Sequence, residues 1–271
     1  MVKMIKALRA NIKTNLIFYR RNRMLIVMAL VMLVLFIIMS VPSLIFVSAS
    51  KKFDIIKTVF SQMRGLFLVL VAILGLITIP FHINSRNIKM VLTKPCPVEI
   101  WLLSHFISAA LIAVVLQVIM LLVVGVMFFV WKIPWQWGVL YMLANNFMVT
   151  MVIFSYLTFL SVLFHPIISA MIALFFTSSN FYYLSMMSEA GSKIEGIRGV
   201  MLIWVNKLIY FLYMVLPAYN PFEEEKDVVY DSMRVVSGDV KYLLYTLGYT
   251  ILISTFFYFL TDYCIRKKRH I

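Results

Sequence analysis

The sequence predicts an all-α integral membrane protein with six transmembrane helices. Of 271 residues, 63% are apolar and only 13% are charged, whereas a typical soluble domain is about half apolar and about a quarter charged. Six apolar runs reach the roughly 20 residues that a helix needs to cross a bilayer. Basic residues cluster beside these runs, at positions 3–23, 86–94 and 266–269, as membrane-flanking charges do. The net charge of +14 therefore predicts contact with membrane lipid and not with nucleic acid.

The first 23 residues predict an amphipathic helix that lies in the membrane interface. Apolar residues recur there at three- and four-residue spacing while basic residues occupy the other faces. The apolar positions are Val2, Ile5, Leu8, Ile12 and Leu16, and the basic ones include Lys3, Lys6, Arg9 and Lys13. A charged leader without structure is the alternative.

The six predicted spans follow one another along a single domain. Their bounds are Met24 to Val47, Gly65 to Ile83, Ile100 to Trp131, Val139 to Leu163, Ile167 to Met187, and Tyr242 to Leu260. The first is too long for a signal peptide, whose apolar region is about 7–15 residues.

A further apolar run, Gly199 to Leu216, carries Asn206 and Lys207 at its centre. A charge at mid-bilayer costs roughly 2.5–3.5 kcal/mol, so this run is predicted to be re-entrant or interfacial. With six spans both termini share a side, and both terminal regions are basic. The positive-inside rule then predicts a bacterial-type cytoplasmic (inner) membrane protein with both termini cytoplasmic.

The predicted connections follow from this topology. Residues 84–97 form a cytoplasmic connection, and residues 164–166 form a tight one on the same side. Residues 188–241 are expected outside, with slightly acidic charge. Residues 48–64 are also expected outside as a connection, although they hold four basic residues.

Several catalytic and energy-coupling motifs are absent from the sequence. It has no P-loop, no His-Glu-x-x-His and no Gly-x-Ser-x-Gly, so neither its own ATPase site nor an enzyme or metal site is predicted. The first five apolar runs contain no Asp or Glu, although ion-coupled transporters normally need such a relay. The deep polar groups are amides that hold helices together or contact a substrate: Gln117, Asn145, Asn146 and Asn180.

The connection between the second and third spans predicts a short horizontal helix. Asn84 or Ser85 can cap it, and Pro95 and Pro97 end it. Its residues are Ser85, Arg86, Asn87, Ile88, Lys89, Met90, Val91 and Leu92. Its apolar side chains are available to a partner protein; the alternative is a connector resting on lipid headgroups.

Here the sequence resembles the ABC-2 type permeases. The family's second-to-third connection is similar to residues 91–95 followed by 97–103, and its Asn-Pro element is similar to residues 216–222. An Arg-containing stretch at 230–236 and aromatic and basic residues at 257–259 and 266–268 follow in the same order. An acidic portion of the family's pattern is replaced here by residues 85–90, which inverts its charge.

The resemblance implies the membrane subunit of an ATP-binding cassette exporter. It implies a pair with a second permease copy or a paralogue, and two separate ATPase subunits that bind ATP and Mg while this chain binds no cofactor. Residues 85–92 would be the coupling helix that docks on the ATPase. Spans two and five would line the path, with Phe67, Phe81, Phe175, Phe176, Asn180, Tyr182 and Tyr183 as candidates.

Aromatic and methionine surfaces suit an amphipathic or hydrophobic passenger, such as a peptide, a lipid-linked molecule or a drug. However, Phe and Met occur in every span, so most of them are expected to pack or to face lipid. A polysaccharide-exporting permease, an ATP-independent secondary transporter, a membrane scaffold and a membrane-embedded lipid transferase are the alternatives.

Overall fold

The computed structural model describes residues 2–23, 52–84, 97–176, 197–217 and 237–269, together with residues 26–27, 30, 34, 38, 180–181 and 184. In this part of the chain all regular structure is helical. The helices are α1 (Val2–Arg21), α2 (Lys52–Asn84), α3 (Val98–Val130), α4 (Gly138–Leu163), α5 (Pro166–Phe175), α6 (Ile197–Val215) and α7 (Ser237–Arg269).

Four of these helices are long and apolar enough to cross a membrane. The segments are Ile55–Pro80 in α2, Val98–Val130 in α3, Gly138–Leu163 in α4 and Lys241–Lys267 in α7. A lipid interior leaves a spanning backbone no water to bond with, so helices that satisfy their own N–H and C=O groups are the expected solution. The prediction of a helical membrane protein is confirmed. The first predicted span falls almost entirely outside the described residues.

Helix α4 lies at the centre of the bundle, packed against α2, α3, α5 and α7. It is buried along most of its length even though it carries six buried polar residues: Asn145, Asn146, Thr150, Ser155, Thr158 and Ser161. Helix α3 is the most apolar of the four, yet its second half exposes side chains such as Val118, Leu122 and Phe129. The buried helix is thus the more polar one and the exposed helix the more apolar one. This suits a protein surrounded by lipid, because small and polar residues hold helices together there while apolar side chains face the lipid tails.

The two ends of the bundle are defined by their connections. At the α3–α4 end, the first turns of α2 and α4 pack against the last turns of α3 through a cluster that includes Ile56, Phe128 and Val139. At the α2–α3 end, a second cluster joins five helices: Tyr19 of α1, Ile79 of α2, Trp101 of α3, Val162 of α4 and Ile265 of α7. Helix α1 and the end of α7 therefore meet at the same end of the bundle.

The start of α2 differs from the prediction. Residues 48–64 were expected to form a connection, but the described residues from Lys52 onward are helical. The core side chains that explain this are Ile55, Ile56, Val59, Phe60 and Met63. Their spacing follows one face of a helix, so the charged and polar residues between them occupy the other faces and do not end it.

Helices α2 and α4 approach closely at Gly75. A Cβ atom at this position would lie 3.2 Å from the backbone oxygen of Phe154. The Ser161 hydroxyl donates a hydrogen bond of 3.3 Å to the Gly75 carbonyl. A small residue at a helix crossing lets two backbones come together in a membrane, so Gly75 determines the spacing of α2 and α4.

The predicted tight connection at 164–166 is confirmed, since α4 ends at Leu163 and α5 begins at Pro166. His165 is the N-cap, and its ring accepts a hydrogen bond from the Ile167 N–H. Proline suits the first helical position because its missing N–H would be unsatisfied there anyway. Helix α5 ends at Phe175, whereas the predicted fifth span continues to Met187, mostly outside the described residues.

The run that was predicted to be re-entrant or interfacial forms a helix, α6, of 19 residues. The Lys207 ammonium lies 5.0 Å from the centroid of the Trp204 ring, a cation–π contact that partly compensates the charge. The last predicted span is contained in α7, which is 33 residues long and extends beyond it at both ends.

Candidate functional site: the α2–α3 end of the bundle

The predicted coupling residues, Ser85 to Leu92, lie outside the described residues, and the structure describes what holds the segments on either side of them. Pro97 is the extended residue that precedes α3, with φ −58° and ψ 142°. Helix α3 begins at Val98, two residues before the predicted third span, and continues without a break to Val130. The connection therefore leads directly into one 33-residue helix.

Helix α1 is joined to the first turns of α3 by buried polar contacts. The Asn15 side-chain amide donates to the Ser104 hydroxyl at 3.1 Å, and both side chains are buried. Ser104 donates in turn to the Trp101 carbonyl at 2.6 Å. An amide buried in apolar surroundings is stable only when it is bonded, so this pair defines how α1 sits against α3.

Tyr19 continues the contact one turn further along α1. Its ring lies in the core cluster of the α2–α3 end. Burial raises the pKa of Tyr19 to about 12, and the nearby Thr78 hydroxyl on α2 offsets part of this rise. The phenol is therefore neutral at physiological pH and acts as a packing group between α1 and α2.

Helix α7 reaches the same first turn of α3 through a charged group. The Arg266 guanidinium bonds the Glu99 carboxylate of α3 and, at 2.7 Å, the Asp262 carboxylate one turn earlier in α7. The Tyr258 hydroxyl donates to the Glu99 backbone carbonyl at 2.9 Å. The Arg266 and Glu99 side chains are about half exposed, so the pair adds little stability, but it holds α7 in register with the start of α3.

These contacts bring both α1 and α7 against the first turns of α3. Sequence reasoning did not single out Asn15, Tyr19, Glu99 or Arg266. A signal was present for one of them, because Glu99 is an acidic residue at the start of an apolar run that otherwise has none. Within the described residues no group of three or more His, Cys, Asp or Glu side chains could hold a metal ion.

The aromatic candidates for the path fall into three groups. Phe67 is partly buried and packs against the core cluster of the α3–α4 end. Phe175 and Phe176, at the end of α5, are exposed, and the Phe176 ring contacts Phe181 at 5.8 Å between centroids. The side chain of Phe81 and the residues Tyr182 and Tyr183 lie outside the described part.

Asn180 has a structural contact at the end of α5. Its side-chain amide donates to the carbonyls of Leu174 and Phe175, at 2.8 and 3.1 Å. The last carbonyls of a helix have no partner within it, so Asn180 caps α5. The Tyr156 hydroxyl of α4 donates to the next carbonyl, that of Phe176, at 3.4 Å.

Two of the deep amides were predicted either to hold helices together or to contact a substrate, and here they join α3 to α4. The Asn146 amide nitrogen donates to the Gln117 side-chain oxygen at 3.2 Å, and the Thr150 hydroxyl donates to the Asn146 carbonyl at 2.6 Å. Within the described residues, the buried Asn146 side-chain oxygen makes no hydrogen bond. The pair links two helices deep in the bundle.

In comparisons with known proteins, no family model matches this chain, and no curated protein matches it.

Proposed function

We propose that the chain is the membrane-spanning permease subunit of an ABC exporter of the ABC-2 type. In this proposal it pairs with a second permease copy or a paralogue in a cytoplasmic membrane, and separate ATPase subunits supply the energy. The observation that supports it most is the arrangement around the 85–96 connection. Two helices of 33 residues each, α2 and α3, lead away from it, and α1 and α7 hold the first turns of α3.

A docking segment needs stiff elements behind it if it is to transmit movement. Because each backbone bond of an α-helix is made within the helix, a displacement at residues 85–96 would carry through α3 to its far end. Helix α2 would carry α4 with it, since the two backbones are in contact at Gly75. Movement of a partner ATPase would thus reach the centre of the bundle.

The distribution of carboxylates supports an external energy source. Within the four apolar segments that are long enough to span a membrane, the acidic residues are Glu99 and Asp262. Both lie at the α2–α3 end, where they bond Arg266. A carboxylate relay deep in these helices, as ion-driven transport normally uses, is thus absent from them. ATP and Mg bound by the partner subunit would supply the driving force instead.

The proposed passenger is an amphipathic or hydrophobic molecule. Phe175 and Phe176 expose aromatic rings next to the capped end of α5, and such rings bind apolar surface with little loss of entropy. Asn180 contributes by holding that helix end, whether or not it touches the passenger.

The test is co-expression of the chain with a P-loop ATPase encoded in the neighbouring reading frame. We expect a stable complex with ATPase activity in lipid nanodiscs, and we expect Met90→Asp and Leu92→Asp each to abolish both. Trp137→Asp is the matched control, because it places the same charge on an exposed residue at the α3–α4 end and should leave both intact. Absence of a complex with the wild-type chain would reject the permease reading. Survival of both Asp variants would reject the coupling role of residues 85–92.

A further inference from the structure

Helix α1 carries an open groove of about 400 Å³ on its outer side. Three basic and three apolar side chains line it: Arg9, Ile12, Lys13, Leu16, Ile17 and Arg20. The basic side chains are exposed and the apolar ones are half-buried. The groove therefore combines a cationic rim with an apolar floor.

Helical geometry separates this groove from the contact that α1 makes with the bundle. At roughly 100° per residue, Arg9, Lys13 and Arg20 fall within about 40° of one another, with Ile12 and Leu16 on one side of them and Ile17 on the other. Asn15 and Tyr19, which contact α3 and the core, lie on the far side of Ile12 and Leu16. A ligand in the groove would thus meet the basic side chains with apolar side chains on either side of them, and it would not disturb the packed side of α1.

The positive charge of the groove has no compensation close by. The segment from Val2 to Arg21 contains no acidic residue. In the part of the chain that the structure describes, no ion pair joins Arg9, Lys13 or Arg20 to an acidic residue. Neighbouring cations without counter-charges favour an anionic ligand, and the apolar floor favours one that also carries a hydrocarbon chain.

We propose that this groove binds an anionic glycerophospholipid. Its phosphate lies among Arg9, Lys13 and Arg20, and the upper part of an acyl chain covers Ile12, Leu16 and Ile17. Long basic side chains suit this arrangement because their stems lie along apolar surface while their charged heads reach the phosphate level. A free phosphate shares the chemistry of the headgroup but leaves the floor uncovered. The proposal does not depend on the permease function.

The site has a consequence for the α2–α3 end. Asn15 and Tyr19, which join α1 to α3 and α2, are on the same helix as the groove. A lipid bound there stabilises the seated position of α1, because a ligand that binds one arrangement favours it by mass action. The packing of α1 should then be firmer in membranes rich in anionic lipid.

The experiment measures binding of a fluorescent-tailed phosphatidylglycerol to the purified full chain in detergent, against the same probe with a phosphatidylcholine headgroup. We expect tighter binding of the anionic probe by at least about tenfold, since each basic side chain contributes roughly fivefold. The triple variant Arg9→Gln, Lys13→Gln, Arg20→Gln should reduce this binding to the level of the phosphatidylcholine probe.

The matched control is the double variant Arg21→Gln, Arg23→Gln, which removes two exposed charges from the same region outside the groove. It should keep the preference for the anionic headgroup. Loss of that preference in the control as well would overturn the proposal in favour of a diffuse charge effect. If the triple variant folds poorly, the single variant Arg20→Gln tests the same site. Its affinity for the phosphatidylglycerol probe should fall roughly fivefold.

Inorganic phosphate distinguishes the two sources of the anion. We expect millimolar phosphate not to displace the lipid probe. We also expect Ile17→Ser, at a half-buried position of the floor, to weaken lipid binding several-fold. Full displacement by phosphate, or no effect of Ile17→Ser, would show that the groove is at most an anion site and would overturn the lipid assignment.

Discussion

Gly75 offers the sharpest test of how α2 and α4 are packed. An alanine Cβ there would lie 3.2 Å from the Phe154 backbone oxygen and 3.4 Å from both Leu157 Cβ and Phe154 Cδ2. The oxygen belongs to the backbone of α4, so it cannot swing aside as a side chain would. The two helices must separate by a few tenths of an ångström, which also lengthens the bond from Ser161 to the Gly75 carbonyl, now 3.3 Å.

The size of the effect follows from two opposing contributions. Overpacking a closely packed contact costs about 1–3 kcal/mol, and replacing a helical glycine by alanine returns up to about 1 kcal/mol. We therefore expect Gly75→Ala to lower the free energy of unfolding by about 1 kcal/mol. Gly75→Leu adds three further carbons to the same space and should lower it by about 3 kcal/mol or more.

The assay is equilibrium unfolding of the purified chain in mixed micelles, followed by circular dichroism. Gly65, in the same helix, is the matched control, since a Cβ there has no heavy atom within 4 Å. Gly65→Ala and Gly65→Leu should be neutral or slightly stabilising. Equal stability of Gly75→Leu and the wild type, or an equal loss at both glycines, would refute the close approach of α2 and α4.

The remaining predictions concern a buried amide pair and a buried phenol. In a double-mutant cycle on Gln117→Leu and Asn146→Leu, unfolding in mixed micelles should give a coupling of about 0.6 kcal/mol and at most about 1.7, as interhelical hydrogen bonds do in membranes; strictly additive losses would argue against the bond. Because burial raises the pKa of Tyr19 to about 12, the unfolded chain loses this proton near pH 10 while the folded chain keeps it. Stability should therefore fall as the pH rises from 10 through 12. The Tyr19→Phe variant should avoid this loss of unfolding free energy, which approaches about 2.7 kcal/mol above pH 12. Parallel pH profiles for the two proteins would contradict the buried position of Tyr19.

Local patterns predicted several elements well. The apolar spacing of the first 23 residues corresponds to α1, and His165-Pro166 separates α4 from α5 as expected. The error at the start of α2 also has a local origin. Residues 48–64 were assigned to a connection because they lie between two predicted spans, but their apolar residues keep helical spacing and are buried.

Composition and hydropathy alone determined that this is a helical membrane protein, because a spanning backbone must satisfy its polar groups within the segment itself. They could not determine which helix is central. Lipid tails are as apolar as core side chains. Hydropathy therefore does not distinguish a helix that faces lipid, such as the second half of α3, from one that is buried among other helices, such as α4. Only the tertiary structure decided this, and only it brought Asn15 to Ser104 and Glu99 to Arg266 across 89 and 167 positions of sequence. Such pairs depend on how whole helices pack, which no local spacing encodes.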